Sequence, residues 1–272
     1  YKNRLEALKG ITGFLNRRNE DYVILCDCAG VYRMALSEVI DFHEAKQADM
    51  TVVCHNEEIV NSNNYTTIKS DESGRVTDIK INEKVRGSNK FYSNIMIIGR
   101  QFLLTLIEDA IVHNYKSFRE DIIMRRMKTL KIFSYDFTGY HATIDSLSSY
   151  FVHNMELLQK PVRDELFGAR DIYTKVRDSA PSKYGDDSSV KNSLISDGCI
   201  VEGTVENSIL FRGVKVGKGT VVRNSILMQD TVLGDNVSLN CVITDKNVVI
   251  RDRRVLSGCE LQPYFLSKGS MI

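Results

Sequence analysis

Residues 205–221 read VENSILFRGVKVGKGTV, residues 222–238 read VRNSILMQDTVLGDNVS, and residues 239–255 read LNCVITDKNVVIRDRRV. Stacked in this way, Val205, Val222 and Leu239 form one column at a spacing of 17 residues. Asn207 to Leu210 falls above Asn224 to Leu227, and both fall above Cys241 to Thr244. Val216, Leu233 and Ile250 form a further column. A less regular copy starts at Asn192 and reaches Val201. Apolar residues recur about every six positions, often followed by Gly, Asp or Asn, which is the hexapeptide pattern of a parallel β-helix. A triangular coil needs about 18 residues, that is, three short strands and three tight corners. Gly or Asn supplies the positive φ at a corner. One coil cannot bury its own faces, so several must stack. A β-sandwich would not hold this register. The pattern predicts that Ile209, Leu233 and Val248 point into the prism.

The preceding part is different. Residues 1–18 place Leu5, Leu8, Ile11 and Leu15 at helical spacing, which predicts one amphipathic helix. Tyr22 to Cys26 and Met50 to Cys54 are apolar runs on either side of a helical stretch, Leu36 to Ala48. Strand, helix and strand in so short a span predict a βαβ unit with parallel strands. Residues 66–69 and 75–81 flank a Ser-Gly pair, which predicts a hairpin. Asn94 to Ile98 and Lys131 to Tyr135 read as further strands. Phe102 to Val112, Glu120 to Leu130 and Ile144 to Leu158 read as helices. Residues 161–187 are polar and hold two of the three prolines. The expected division is an α/β domain over 1–160, a linker over 161–187 and a β-helix over 188–272.

Composition narrows the function classes. Lys plus Arg is 36 and Asp plus Glu is 35, a net charge of +1. Nucleic-acid binding needs a clear basic excess, so that class is excluded. Hydrophobic residues are 43% and charged residues 26%, as in ordinary globular proteins. No stretch reaches the roughly 20 apolar residues that cross a bilayer. Six cysteines form no C-x-x-C pair, so zinc is not expected. With several of them inside apolar runs, reduced core cysteines and a cytoplasmic location are the expectation. The chain opens on Tyr1 with no secretory signal, and an N-terminal segment is expected to precede it.

An α/β domain followed by a left-handed β-helix resembles the sugar-nucleotide pyrophosphorylases, and ADP-glucose pyrophosphorylase (glucose-1-phosphate adenylyltransferase) most closely. The segment from Val23 to Asp27, then Val31 and Tyr32, His43, and Ala48 to Thr51 resembles the family's metal-loop region. Arg75 to Ile79, leading to Glu83 and Lys84, resembles "I-x-x-F-x-E-K-P", with Val85 in place of the Pro. Phe118 to Ile122 resembles "D-F-G-x-D-I-I", and Leu147 to Tyr150 resembles the helix of "D-V-G-T-L-x-A-Y". The fold implied is a Rossmann-like nucleotidyltransferase domain lacking its N-terminal part, about a hundred residues that carry the family's Gly-rich phosphate loop. The implied reaction converts ATP and glucose 1-phosphate to ADP-glucose and pyrophosphate, with Mg²⁺ neutralising charge on the phosphates.

The implied metal positions depart from the family. Its first metal Asp lies in "L-x-G-D-H-x-Y". Counting from Leu25 puts Cys28 there, and counting back from Tyr32 puts Ala29 there. Its second, in "D-V-G-T-L", corresponds to Thr143. A hard cation takes oxygen ligands, preferably anionic, so no metal site is expected. Glu83, Lys84 and Ser93 match the family's sugar-phosphate contacts, and Arg212 and Lys215 fall where it gathers anionic regulators. The expectation is a non-catalytic regulatory subunit of the D-type found in bacterial glycogen operons. It would join a catalytic homologue in a hetero-oligomer and bind a sugar phosphate or anionic effector. The rival is an active nucleotidyltransferase that recruits its metal through Asp27 or Asp145. An acyltransferase on the β-helix would need a His base, and residues 186–272 contain none. A translation-factor exchange subunit would carry a further helical domain after the β-helix.

Overall fold

The computed structural model describes residues 3–168, 172–175 and 177–272; of the side chains at 57–65 and 82–88 only the backbone course is described. The chain divides into two compact units, Tyr1–Gly139 and Tyr140–Ile272.

The first unit is built on a four-stranded sheet. Its strands are β1 (Tyr22–Leu25), β3 (Met50–Ser70), β4 (Val76–Gly99) and β5 (Ile132–Asp136), in the order β1-β4-β3-β5. The short strand β2 (Gly30–Tyr32) follows β1. Strand β4 runs antiparallel to both β1 and β3, whereas β5 is parallel to β3. The sheet is therefore mixed rather than all-parallel. β1 and β3, each antiparallel to β4, run in the same direction, as the βαβ reading expects, and β4 is inserted between them. The expected hairpin is present but longer, with β3 and β4 spanning 21 and 24 residues. At its turn the Asp71 carboxylate accepts from the backbone N–H of Ser73 and Arg75 at 2.9 and 3.0 Å. Gly74 supplies φ +85° there.

Both faces of the sheet are covered. Met50, Val52, Met96 and Ile98 pack against Leu5, Leu8 and Leu15 of α1 (Arg4–Gly10) and α2 (Thr12–Asn16), and against Leu103 and Ile107 of α4 (Arg100–Val112). Val53, Ile95 and Ile97 point to the opposite face and meet Val39 of α3 (Leu36–Ala45). Burial on both faces explains why these runs read as continuously apolar. The single helix expected over residues 1–18 is two helices. Ile11 sits at the break and is 41% exposed, so it leaves the apolar stripe. The helix expected at Glu120 is a π-helical turn, Phe118–Met124, that buries Phe118, Ile122 and Ile123.

The second unit holds the β-helix. Three five-stranded parallel sheets stack strands from successive coils. Val205 pairs with Val222 and Val222 with Leu239, while Val216 pairs with Leu233 and Leu233 with Ile250. These are the columns expected from the repeat. Positive φ recurs at Asn192, Asn207, Asn224 and Cys241, one corner of successive coils, and at Gly198, Gly213, Asp230, Asn247 and Gly269, a second. A polar ladder climbs the first corner, buried at Ser208 and Ser225. Each serine hydroxyl accepts from the coil above: Ser193 from the Ser208 N–H, Ser208 from the Ser225 N–H, and Ser225 from the Val242 N–H, each at 3.1 Å. One coil is shorter. Ser193 and Ser208 are 15 residues apart, against 17 for Ser208 and Ser225. The shortening falls at Glu202 and Gly203, and a Cβ at Gly203 would lie 2.3 Å from the Thr220 carbonyl oxygen.

Leu233 and Val248 lie in the prism core as expected, but Ile209 does not. Its neighbour Leu210 enters that core with Leu227. Ile209 stacks instead with Ile226, and Ile226 with Ile243, on the opposite face of the same sheet. Phe151 of α5 (Leu147–Glu156) covers Ile226, Cys241 and Ile243. A shift of one residue exchanges the faces of a strand. This packing places α5 in the second compact unit, Tyr140–Ile272. Lys183–Tyr184 already forms the first strand of the β-helix, ahead of the expected start at 188. Among the described residues, no helix is long and apolar enough to cross a membrane.

Candidate functional site

The loop from β1 to β2 carries Cys26, Asp27, Cys28 and Ala29. Both thiols and the carboxylate are exposed. The Asp27 Oδ1 atom accepts from the Arg4 guanidinium. Arg4 also donates to the Asn94 carbonyl at 3.2 Å and lies 3.5 Å from the Tyr92 hydroxyl. Tyr92 is buried, which pushes its phenol up to about 12. The site depends on an irregularity in β4. Val52 pairs with Met96 but Cys54 pairs with Tyr92, so Ser93, Asn94 and Ile95 bulge from the ladder. Asn94 takes φ +57°, a left-handed conformation that Asn tolerates better than most residues.

The same bulge turns Ser93 inward. Its hydroxyl is 2.8 Å from His55 Nδ1, and both side chains are buried. Tyr32 donates to the Ser93 carbonyl at 3.4 Å, and the rings of Tyr32 and Phe91 lie 6.3 and 6.0 Å from the His55 ring. Beside Arg4 a cavity of about 330 Å³ opens, lined also by Asn3, Asp27, Asn94, Lys116 and Arg119. Three cations face one carboxylate there, an arrangement suited to an anion. Asp121 accepts from the backbone N–H of Ser117 and Lys116 at 3.0 Å each, which holds its carboxyl below the usual range.

Ser93 and the Asp27 loop are therefore brought to one edge of the first unit. Glu83 and Lys84 lie on the strand β4, and their side chains fall outside the described residues. Thr143 ends β6 (His141–Thr143) in the second unit. Asp145 is occupied locally: its Oδ1 accepts from the Ser149 hydroxyl at 3.1 Å, next to the capping box of Ser146 and Ser149 that starts α5. Arg212 faces Asp197 at 3.9 Å, and Lys215 is exposed on the β-helix. The positions Cys28, Ala29 and Thr143 offer Mg²⁺ no carboxylate. Among the described residues, no group of three or more His, Cys, Asp or Glu side chains could hold a metal. The residues present do not fit the ion.

Sequence reasoning passed over Arg4, His55, Tyr92 and Asn94. Arg4 looked like an ordinary polar position on an amphipathic helix. A left-handed Asn directly before an apolar run is the one local sign that a bulge could sit there.

Comparison with known proteins places this chain among two families. The nucleotidyl transferase family matches residues 2–125, and the GlmU-like, C-terminal hexapeptide family matches residues 179–261. The glycogen biosynthesis protein GlgD of Bacillus subtilis is 44% identical over 169 residues, 61% of this chain and 49% of its own length. The glucose-1-phosphate adenylyltransferase of Thermosipho melanesiensis is 32% identical over 229 residues, 82% of this chain and 55% of its own. The chain is a homologue of the glucose-1-phosphate adenylyltransferases and of GlgD. A further adenylyltransferase, from Acetivibrio thermocellus, is 28% identical over 279 residues, 99% of this chain and 65% of its own. The chain spans about half the length of the first two relatives. Identity to GlgD exceeds identity to either adenylyltransferase, over a shorter stretch of chain.

Proposed function

We propose that this chain serves glycogen biosynthesis as a regulatory, catalytically weak or inactive subunit of glucose-1-phosphate adenylyltransferase. One observation carries the reading: the family's architecture is kept while neither metal position, Cys28 or Ala29 in one case and Thr143 in the other, holds a carboxylate. Adenylyl transfer from ATP needs a fixed divalent ion against the phosphates, and loss of both anchors removes the group that stabilises the developing charge. The similarity to GlgD supports the same reading. The cytoplasm is the location that fits such a subunit.

In this role the chain acts through a catalytic homologue in a hetero-oligomer, shifting that partner's affinity for substrate or effector. The cationic cavity beside Arg4, with Lys116 and Arg119, and the basic pair Arg212 and Lys215 are candidate seats for a sugar phosphate or an anionic effector. The rival, an active enzyme with a shifted metal site, is disfavoured by what Asp27 and Asp145 do. The first is paired with Arg4 and the second is bonded at the start of α5.

The test is turnover of the full-length protein with ATP, Mg²⁺ and glucose 1-phosphate, alone and mixed with the catalytic homologue. The expected result is little or no turnover alone, at least ~10³-fold below the homologue, with altered KM or effector response in the mixture. Robust turnover alone that disappears in Asp27→Ala would refute the proposal.

A further inference from the structure

The metal loop has lost its ligands, yet the carboxylate it retains is not left facing solvent alone. Asp27 meets a guanidinium supplied by the first turn of α1. The Arg4 side chain is only 21% exposed, while that of Asp27 is 47% exposed. Arg4 is not a loose surface cation. Asn3 caps its helix by accepting from the Glu6 N–H at 2.9 Å, and Leu5 beside it is buried in the sheet core. The guanidinium then reaches three acceptors on two segments: Asp27 in the loop, and the Asn94 carbonyl and Tyr92 hydroxyl on the bulged strand β4.

We infer that Arg4 is a resident cation that stands in for the divalent ion at this loop and holds residues 26–29 against β4 without metal. The inference rests on reading the loop as a lost metal site. A planar guanidinium provides several fixed donors and cannot lose its charge, so it satisfies a carboxylate and a carbonyl together. A divalent ion entering here would have to displace it or sit beside it against like charge. The donors left for the ion would be one shared carboxylate and the thiols of Cys26 and Cys28. Mg²⁺ demands near-octahedral oxygen coordination, which this set cannot supply. Arg4 thus does more than accompany the loss of the metal. It removes the last carboxylate from competition and makes the order of the loop independent of metal concentration.

The experiment measures metal rather than turnover, so its outcome is separate from that of the regulatory reading. Mn²⁺ serves as the probe, and free Mn²⁺ is counted by electron paramagnetic resonance during titration of the full-length protein. The wild-type protein and Arg4→Lys, which keeps the charge, are expected to show no site that depends on Asp27. Arg4→Met is expected to gain Mn²⁺ affinity at least tenfold, and Arg4→Met with Asp27→Asn to lose that gain. An Arg4→Met variant that binds no more Mn²⁺ than wild type overturns the inference. So does a wild-type protein whose Mn²⁺ affinity falls in Asp27→Asn, a comparison that decides the matter even if Arg4→Met does not fold.

Discussion

Truncating Leu227 to Ala tests the β-helix at the centre of its packing. Leu227 is fully buried in the prism core, above Leu210 and below Thr244 in adjacent coils. Removing about three methylene equivalents costs roughly 2.4 kcal/mol of transfer free energy, at ~0.8 kcal/mol each. The neighbours are fixed by parallel pairing on both sides, so the space cannot close fully. A residual cavity of about 60 Å³ adds about 1.5 kcal/mol, at roughly 24 cal/mol per Å³. Leu227→Ala should therefore destabilise the β-helix by about 4 kcal/mol. The assay is urea unfolding of the full-length protein followed by far-UV circular dichroism, since the chain has no Trp to report by fluorescence. The control is Val255→Ala, where the side chain is 74% exposed and the cost should stay within about 0.5 kcal/mol. A cost below ~1 kcal/mol at Leu227, or equal costs at the two positions, would refute the assignment of inward and outward faces.

Four further outcomes are expected. Phe151→Ala should lower stability by about 3 kcal/mol and raise the reaction rate of Cys241 with a thiol reagent, because the two are packed together under α5. Burial pushes the His43 imidazole below its ordinary value near 6.5, and its Nδ1 lies 2.8 Å from the Thr51 hydroxyl. A lowered folded value means that this stability is present above pH ~6.5 and is lost as pH falls below it, so melting temperatures between pH 5 and 7.5 should flatten in His43→Leu. Gly13→Ala should stabilise by about 0.5–1 kcal/mol, since an added Cβ meets nothing within 4 Å in α2. Gly203→Ala should destabilise by about 2 kcal/mol or more, because its Cβ would meet backbone oxygen at 2.3 Å; thermal melts separate the two signs.

The β-helix could be read from residues 205–255 because every coil repeats the same chemistry at the same step. The choice between Ile209 and Leu210 could not be. Both are apolar, since one faces the prism and the other the side that α5 covers, and no polar partner marks the outer face. The mixed sheet was obscured in a similar way. Strands buried on two sides lose the alternation that tells one face from the other, so nothing in the run marks β4 as the strand between β1 and β3, and its length needed tertiary pairing to be recognised. At the candidate site, the departures at Cys28, Ala29 and Thr143 were legible as substitutions within a motif. The Arg4–Asp27 pair was not, because 23 residues separate its members and the strand between them carries no sign of their meeting.

The short coil at Glu202 and Gly203 bears on how the solenoid finds its frame during folding. A perfectly periodic stack offers a tempting error: a segment can dock one level too early and still align most of its apolar residues with those of the wrong neighbour. A coil of 15 residues among coils of 17 removes that degeneracy. Docked one level away, its corner would leave two residues unmatched. The close approach of Gly203 to Thr220 and Gly217 would also be lost, because the coil above places Lys218 and Gly219 within its own longer corner. The irregular coil thus works as an index mark. Lengthening it by two residues to restore strict periodicity should leave the native fold attainable while increasing the fraction of chains trapped in shifted registers on rapid refolding.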